Sequence, residues 1–297
     1  MSEQIVYLNG AWLPLNEARV PVLDRGFIFG DGVYEVIPVY AGTPLRVREH
    51  LARLQSSLDA IRIANPHAAG EWETLLRDLV DRQPWPDQYL YLQVTRGVAK
   101  RDHAFPKDAT PTVFMMSSPL NTPSREEIEG GVAAVTATDY RWGRCDVKSV
   151  ALLGNVLLRQ AAVDAGALET VLFRDGFLTE GAASNIFVVS NGFLLAPPKS
   201  HLMLPGITYD LVLELAAAAG LPHQVREVSE RETLTADELW LTSSTKEVLA
   251  ITSLNGRPVG TGKSGPVFRR MHALYQEFKA TSCAAARAQQ AGAGAHA

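Results

Sequence analysis

Four groups of residues in this 297-residue chain have types and spacings that could do chemistry. Lys148 stands between Val147 and Ser149, ahead of an apolar stretch. A lysine that loses water there favours its neutral form, the nucleophile for a carbonyl, although a surface lysine fits the same pattern. Glu180 and Asn185 bracket Gly181, Ala182 and Ala183, small residues that let a flat ligand approach the backbone. A tight hairpin with an exposed glutamate reads the same way. In Leu-Pro-Gly-Ile-Thr (204–208), Thr208 could cap the helix that follows, whose free first-turn N–H groups form an anion site. Ser243 and Ser244, in the hydroxyl cluster 241–245, offer a second set of phosphate contacts. The fourth group is the loop Arg101-Asp102-His103-Ala104-Phe105-Pro106, where an arginine fork and an imidazole lie one residue apart.

These residues need a scaffold, and its elements can be read from the pattern. Asn9-Gly10, Asp175-Gly176, Asn191-Gly192 and Asn255-Gly256 separate short apolar runs and predict hairpins. Leu51, Leu54, Leu58 and Ile61 recur at spacings of three and four and predict an amphipathic helix. Further helices are predicted at 71–82, 152–166, 206–220 and 264–279. Residues 24–36 carry three glycines among Phe27, Phe29 and Tyr34, without the helix that a dinucleotide-binding glycine motif requires. Hairpins dominate, so the fold class is α+β with largely antiparallel sheets. The predicted division is an N-terminal domain at 1–120, a linker at 121–125, a second domain at 126–280 and a disordered, low-complexity tail at 281–297.

Composition narrows the function classes. Hydrophobic residues make up 46% and charged residues 20%, an ordinary globular profile. A net charge of −4 and a pI near 6.0 argue against general nucleic-acid binding. The sequence has no apolar run long enough to span a bilayer, shows no secretory signal and has only two cysteines. The expectation is a cytoplasmic protein without a metal site.

Taken in order from about residue 5 to residue 279, Arg-Gly-Phe-Ile-Phe-Gly-Asp-Gly-Val-Tyr-Glu-Val, Cys-Asp-Val-Lys-Ser-Val-Ala-Leu-Leu-Gly-Asn-Val-Leu, Thr-Glu-Gly-Ala-Ala-Ser-Asn-Ile-Phe and Leu-Pro-Gly-Ile-Thr resemble the fold-type IV pyridoxal phosphate enzymes. The resemblance implies two α+β domains, the larger C-terminal one with a barrel-like antiparallel sheet. It implies that Lys148 holds pyridoxal 5'-phosphate covalently and shuttles protons, and that Glu180 pairs with the ring nitrogen. Arg53, Ile207, Thr208, Ser243 and Ser244 would bind the phosphate, and Leu204 would pack on the ring. An Arg-x-His loop of this kind, with a tyrosine from the glycine-rich segment, carries the substrate carboxylate in the D-amino-acid aminotransferases of the family. Here those residues are Arg101, His103 and Tyr34, and the family implies a homodimer in which the loop serves the neighbouring subunit.

The implied reaction is transamination between a D-amino acid, such as D-alanine or D-glutamate, and 2-oxoglutarate or pyruvate. An aminodeoxychorismate lyase, a branched-chain L-aminotransferase, an (R)-amine transaminase and a non-catalytic cofactor carrier are the competing readings. Ala183, Tyr209, Ala196-Pro197 and Lys246 depart from common family usage, and Lys246 is expected near the pocket mouth. Asp102 is expected to face solvent.

Overall fold

A computed structural model describes residues 4–294, and the chain divides into two compact units. The first comprises residues 1–121, 147–152 and 282–297; the second comprises 122–146 and 153–281. The short segment holding Lys148 therefore packs with the first unit, to which a cut at 121–125 would not assign it.

In the first unit the elements run β1 (Ile5–Leu8), β2 (Ala11–Pro14), α1 (Arg25–Phe29), β3 (Gly32–Tyr40), β4 (Thr43–Pro44), α2 (Val47–Ala60), α3 (Ala69–Asp81), β5 (Gln88–Thr95) and β6 (Thr112–Pro119). Its sheet is antiparallel throughout, in the order β2-β1-β6-β5-β3-β4. Asn9 and Gly10 both take positive φ, 49° and 93°, as the hairpin reading requires. Alternation along β3, β5 and β6 turns Val33, Ile37, Leu90, Leu92, Val94, Val113 and Met115 into one core. Leu51, Leu54 and Leu58 of α2 close that core, which explains their helical spacing. The other face of the sheet carries Tyr34, Tyr91, Gln93 and Phe114, all half-buried.

The second unit contains α4 (Arg125–Gly130), β7 (Val132–Thr138), α5 (Leu153–Asp164), β8 (Glu169–Arg174), β9 (Phe177–Gly181), β10 (Asn185–Ser190), β11 (Phe193–Ala196), α6 (Ile207–Ala218), β12 (His223–Val225), α7 (Glu230–Leu234), β13 (Glu238–Ser243), β14 (Glu247–Leu254), β15 (Arg257–Pro258) and the part of α8 (Pro266–Gly294) up to residue 281. The sheet order is β12-β11-β10-β13-β14-β7-β8-β9, with β15 on β14. After β9 the chain turns tightly, Gly181 N donating to Ser184 O at 2.6 Å, and enters β10. The edge strand is thus led back beside a central one, and the sheet curls like a barrel. It is mixed. Hairpin neighbours are antiparallel, but β7–β8 and β11–β12 are parallel because α5 and α6 are crossover helices between them. Strand β14 also lies parallel to β7.

The expected disordered tail needs correction. Residues 281–294 continue α8 instead of fraying, and the expectation for 295–297 lies outside the described residues. The stretch is rich in alanine, the strongest helix former. Cys283 gives it a buried anchor, with Sγ 3.4 Å from Tyr40 O. Among the described residues no helix is long and apolar enough to cross a membrane.

Candidate active site

Lys148 lies in an extended segment five residues ahead of α5, not in the helix itself. The first unit holds its backbone from both sides. Tyr34 N donates to Lys148 O at 3.0 Å, Lys148 N donates to Ser57 Oγ at 3.2 Å, and Val150 N donates to Gly32 O at 3.1 Å. Gly30, at φ +66°, lets this segment come close: a Cβ there would meet Ala151 Cβ at 3.0 Å. The side chain then lies over an aromatic face, with Nζ 4.1 Å from the Tyr34 ring centroid. Tyr34 stacks in turn on Tyr91, with centroids 5.6 Å apart. Burial beside Tyr34 pushes the Tyr91 phenol up to about 12.

Arg53 is buried, and its guanidinium is gripped by Glu35 of β3. Nε donates to Glu35 Oε1 and Nη2 to Oε2, both at 2.8 Å. His50 Nδ1 lies 2.8 Å from the same Oε2. Burial alone would raise the Glu35 pKa, but Arg53's charge and hydrogen bonds outweigh it and hold the carboxyl well below the usual range. Burial also pushes the His50 imidazole down, toward its neutral form. The sequence reading named Arg53 but not Glu35 and His50, which the structure packs against it. The available signal was a glutamate placed among the inward apolar residues of β3.

Arg101 and His103 are exposed on the loop after β5, and one aromatic ring gathers them. The Arg101 guanidinium carbon lies 5.4 Å from the Phe29 centroid, and the His103 ring centroid is 5.3 Å from it. Asp102 is exposed, and its Oδ1 accepts from Ala104 N at 3.1 Å, tightening the turn.

In the second unit, Glu180 closes β9 with its carboxylate buried. Arg141 Nη1 donates to Oε1 at 2.6 Å; Asn185 Nδ2 and Leu204 N donate to Oε2 at 3.2 and 3.0 Å. Burial pushes the Glu180 pKa up to about 7, against the pull of Arg141 and the Leu204 amide. Arg141 also grips Asp139 through Nε and Nη2, and Thr179 Oγ1 donates to Asp139 at 3.0 Å. Sequence reasoning missed Asp139 and Arg141, although Asp-x-Arg seven residues ahead of Lys148 was there to see. Burial pushes the neighbouring Cys145 thiol up to about 11.

The start of α6 differs from expectation. Gly206 is the N-cap and makes no side-chain cap bond, so Thr208 lies inside the first turn and does not cap it. Ile207 and Thr208 are both buried. Ser243 ends β13 and its Oγ accepts from Lys246 N at 3.1 Å; Ser244 is half-buried beside it. Burial pushes the Lys246 ammonium down.

In the second unit the donors suit an aromatic ring with a basic nitrogen and a phosphate, and in the first unit Lys148 suits an aldehyde. A carboxylate has about four lone-pair sites, and Glu180 receives three donors, which leaves room for one ring N–H. The first turn of α6, uncapped by any side chain, suits a phosphate. Each unit thus holds groups that such a cofactor needs: the lysine over an aromatic ring in the first, the buried carboxylate and the anion-ready helix start in the second. The amino-transferase class IV family pattern matches residues 32–254, and the chain belongs to that family.

Its relatives narrow the class. D-alanine aminotransferase from Bacillus licheniformis is 41% identical over 91% of this chain and 95% of its own length. The D-alanine aminotransferase of Staphylococcus aureus strain MSSA476 is 35% identical over 92% and 97%. Among solved structures, the branched-chain amino acid aminotransferase of Escherichia coli matches with a TM-score of 0.85 and 25% identity, covering 91% of this chain and 93% of that one. A second branched-chain amino acid aminotransferase, solved with pyridoxamine 5'-phosphate, gives a TM-score of 0.86 and 27% identity, covering 93% and 94%.

Proposed function

We propose that this class IV aminotransferase acts on D-amino acids and holds its substrate by the α-carboxylate. It is a pyridoxal 5'-phosphate enzyme that moves an amino group between a D-amino acid and a 2-oxo acid. D-Alanine and D-glutamate are the donors, pyruvate and 2-oxoglutarate the acceptors. The carrying observation is the pairing of Arg101 and His103 on the Phe29 ring, two donors suited to one carboxylate, in a chain 41% identical to a D-alanine aminotransferase.

Bound pyridoxal phosphate supplies an electron-withdrawing ring that acidifies the substrate Cα–H. Lys148 Nζ would hold the cofactor and would carry the proton removed from the substrate Cα across to the cofactor carbon. The Glu180 carboxylate would hold the proton of the ring nitrogen, and Leu204 would pack against the ring. The amides of Ile207 and Thr208 and the hydroxyls of Ser243 and Ser244 would hold the phosphate, joined by Arg53, which Glu35 keeps in place. Arg101, His103 and Tyr34 orient the carboxylate and so choose the hand of the substrate.

The working unit is a homodimer whose Arg101 loop serves the partner's site. Exposed apolar side chains support it: Leu153, Val156 and Leu157 on α5, and Phe27, Val98 and Phe105 in the first unit. The N-terminal and cofactor-binding units act as the two domains, and two free cysteines suit a cytoplasmic setting.

The test is spectroscopic. D-Alanine is expected to bleach the yellow holoenzyme and L-alanine to leave it coloured; bleaching by L-alanine, L-leucine or (R)-1-phenylethylamine alone overturns the D-assignment. Borohydride reduction followed by peptide mapping is expected to fix the label on Lys148.

A further inference from the structure

Arg101 and His103 sit on an exposed loop, yet the groups beneath that loop are buried and charged. Arg25 and Arg96 are 3% and 7% exposed. Both point at one carboxylate: Arg25 Nε lies 2.7 Å from Asp31 Oδ2, Arg96 Nε 2.8 Å from the same oxygen, and Arg96 Nη2 2.9 Å from Oδ1. Backbone bonds reinforce the hub, Arg96 N donating to Asp31 O at 3.0 Å and Arg25 N to Gly97 O at 2.9 Å. From there both arginines reach the loop. Arg25 Nη1 donates to Asp102 O at 2.5 Å and lies 3.4 Å from Ala104 O, the carbonyls on either side of His103. Arg96 lies over the Phe105 ring at 3.7 Å and is anchored by Nη2 donating to Ile61 O at 2.7 Å. Arg25 also covers the Phe29 ring at 4.8 Å, the ring that Arg101 and His103 share.

The structure assigns to Asp31 the role of positioning residue for the substrate carboxylate: through Arg25, Arg96 and Phe29 it fixes the loop that presents Arg101 and His103. This rests on the reading of Arg101 and His103 as the carboxylate clamp. Three arginines stand in this region, and a free guanidinium at 25 or 96 would compete for the incoming carboxylate. Asp31 engages those two and leaves Arg101 without a carboxylate partner among the described residues. With its charge balanced, Arg25 turns Nη1 to the loop carbonyls, so the clamp is ordered before substrate arrives. Burial opposes the ionisation of Asp31, but hydrogen bonds from Arg96 and Arg25 outweigh it and hold the carboxyl below its usual value.

The experiment compares Asp31→Asn, Phe29→Leu, Arg101→Met and the double variant Asp31→Asn/Arg101→Met in the cofactor-loaded enzyme. KM and kcat are measured for D-alanine, alongside the slow half-reaction with ethylamine, which has no carboxylate. Asp31→Asn is expected to raise KM for D-alanine about 10-fold with kcat within about 3-fold, since it weakens binding of one group and not the chemistry. Ethylamine is expected to react as with the wild type. The double variant is expected to fall well short of the product of the single effects, because Asp31 acts through the loop that carries Arg101. Phe29→Leu, which disturbs no charge, is expected to raise the same KM and serves if Asp31→Asn fails to fold. If Arg101→Met raises KM while folded Asp31→Asn or Phe29→Leu does not, or if the double effect multiplies, the positioning role is overturned and the clamp stands. If Arg101→Met leaves KM unchanged, the clamp reading falls and this role with it.

Discussion

Arg141 Nη1 lies 2.6 Å from Glu180 Oε1, while the other edge of the same guanidinium grips Asp139. The glutamate proposed for the ring nitrogen is therefore held by an arginine that is itself fixed. Removing Arg141 leaves Asp139 and Glu180 buried without the cation they share, which costs about 3–5 kcal/mol. Arg141→Met is expected to lower stability by that order in urea unfolding and to weaken cofactor retention. Asp139→Asn, which leaves Arg141 in contact with Glu180, is expected to cost less.

Glu180→Gln tests the carboxylate without emptying the space. A neutral amide cannot stabilise a protonated ring nitrogen, so kcat/KM for D-alanine is expected to fall about 10²–10³-fold with the cofactor still bound. A variant that retains wild-type kcat/KM overturns the role given to Glu180.

Cofactor removal exposes a pH signature of the same residue. In the cofactor-free chain Glu180 sits at about 7, above the ordinary carboxylate value, because burial disfavours its charge. Between about 4.5 and 7 the folded state binds more protons than the unfolded one, so this group's contribution to stability declines as pH rises through that window. The cofactor-free wild type is expected to lose stability there relative to Glu180→Gln, whose amide does not titrate. Urea unfolding at pH 4.5 and 7.5, compared between the two proteins, reads the difference directly.

Much of the scaffold was legible because its signals are local. Paired positive φ values at Asp175-Gly176, Asn191-Gly192 and Asn255-Gly256 are what those dipeptides favour, and the leucines of α2 mark its buried face. The lysine, the glutamate and the Arg-x-His loop were visible as motifs. Their supports were not, because each is a tertiary contact between distant positions: Arg53 with Glu35, Arg141 with Glu180, Arg96 with Asp31. The mixed sheet was hidden for a related reason, since parallel pairing depends on where α5 and α6 return the chain. The tail misled in another way: its repetitive composition suggested disorder, but alanine also favours helix, and Cys283 ties it down.

The Glu35–Arg53–His50 group predicts the opposite pH behaviour. Glu35 is held well below the ordinary carboxylate range, so its stabilisation is present at neutral pH, above the unfolded value near 4.5. It is lost as pH falls below that value toward the folded pKa. Glu35→Gln is expected to cost several kcal/mol at pH 7, because it removes the carboxylate that faces the buried Arg53 guanidinium, and less near pH 3. A cost that does not shrink on acidification would show that Glu35 matters through packing and not through its charge.

Gly206 offers a steric test of how the second unit is built. Its φ is −69°, so the backbone there accepts alanine without strain, and any effect must come from the added methyl. That methyl would collide with Asn185 Oδ1. Asn185 Nδ2 joins Glu180 Oε2 to Leu204 O at 3.2 and 2.9 Å, so displacing its amide disturbs the carboxylate and the chain leading into α6 together. Gly206→Ala is expected to raise the cofactor's dissociation constant about 10-fold and to lower stability by about 1–3 kcal/mol, the cost of overpacking a tight site. Truncating Asn185 removes the obstructing oxygen, so Asn185→Ala combined with Gly206→Ala is expected to fall well short of the sum of the single effects. Additive losses would mean that the methyl acts elsewhere, at the start of α6 or against Tyr209, whose Cβ it would approach to 3.2 Å.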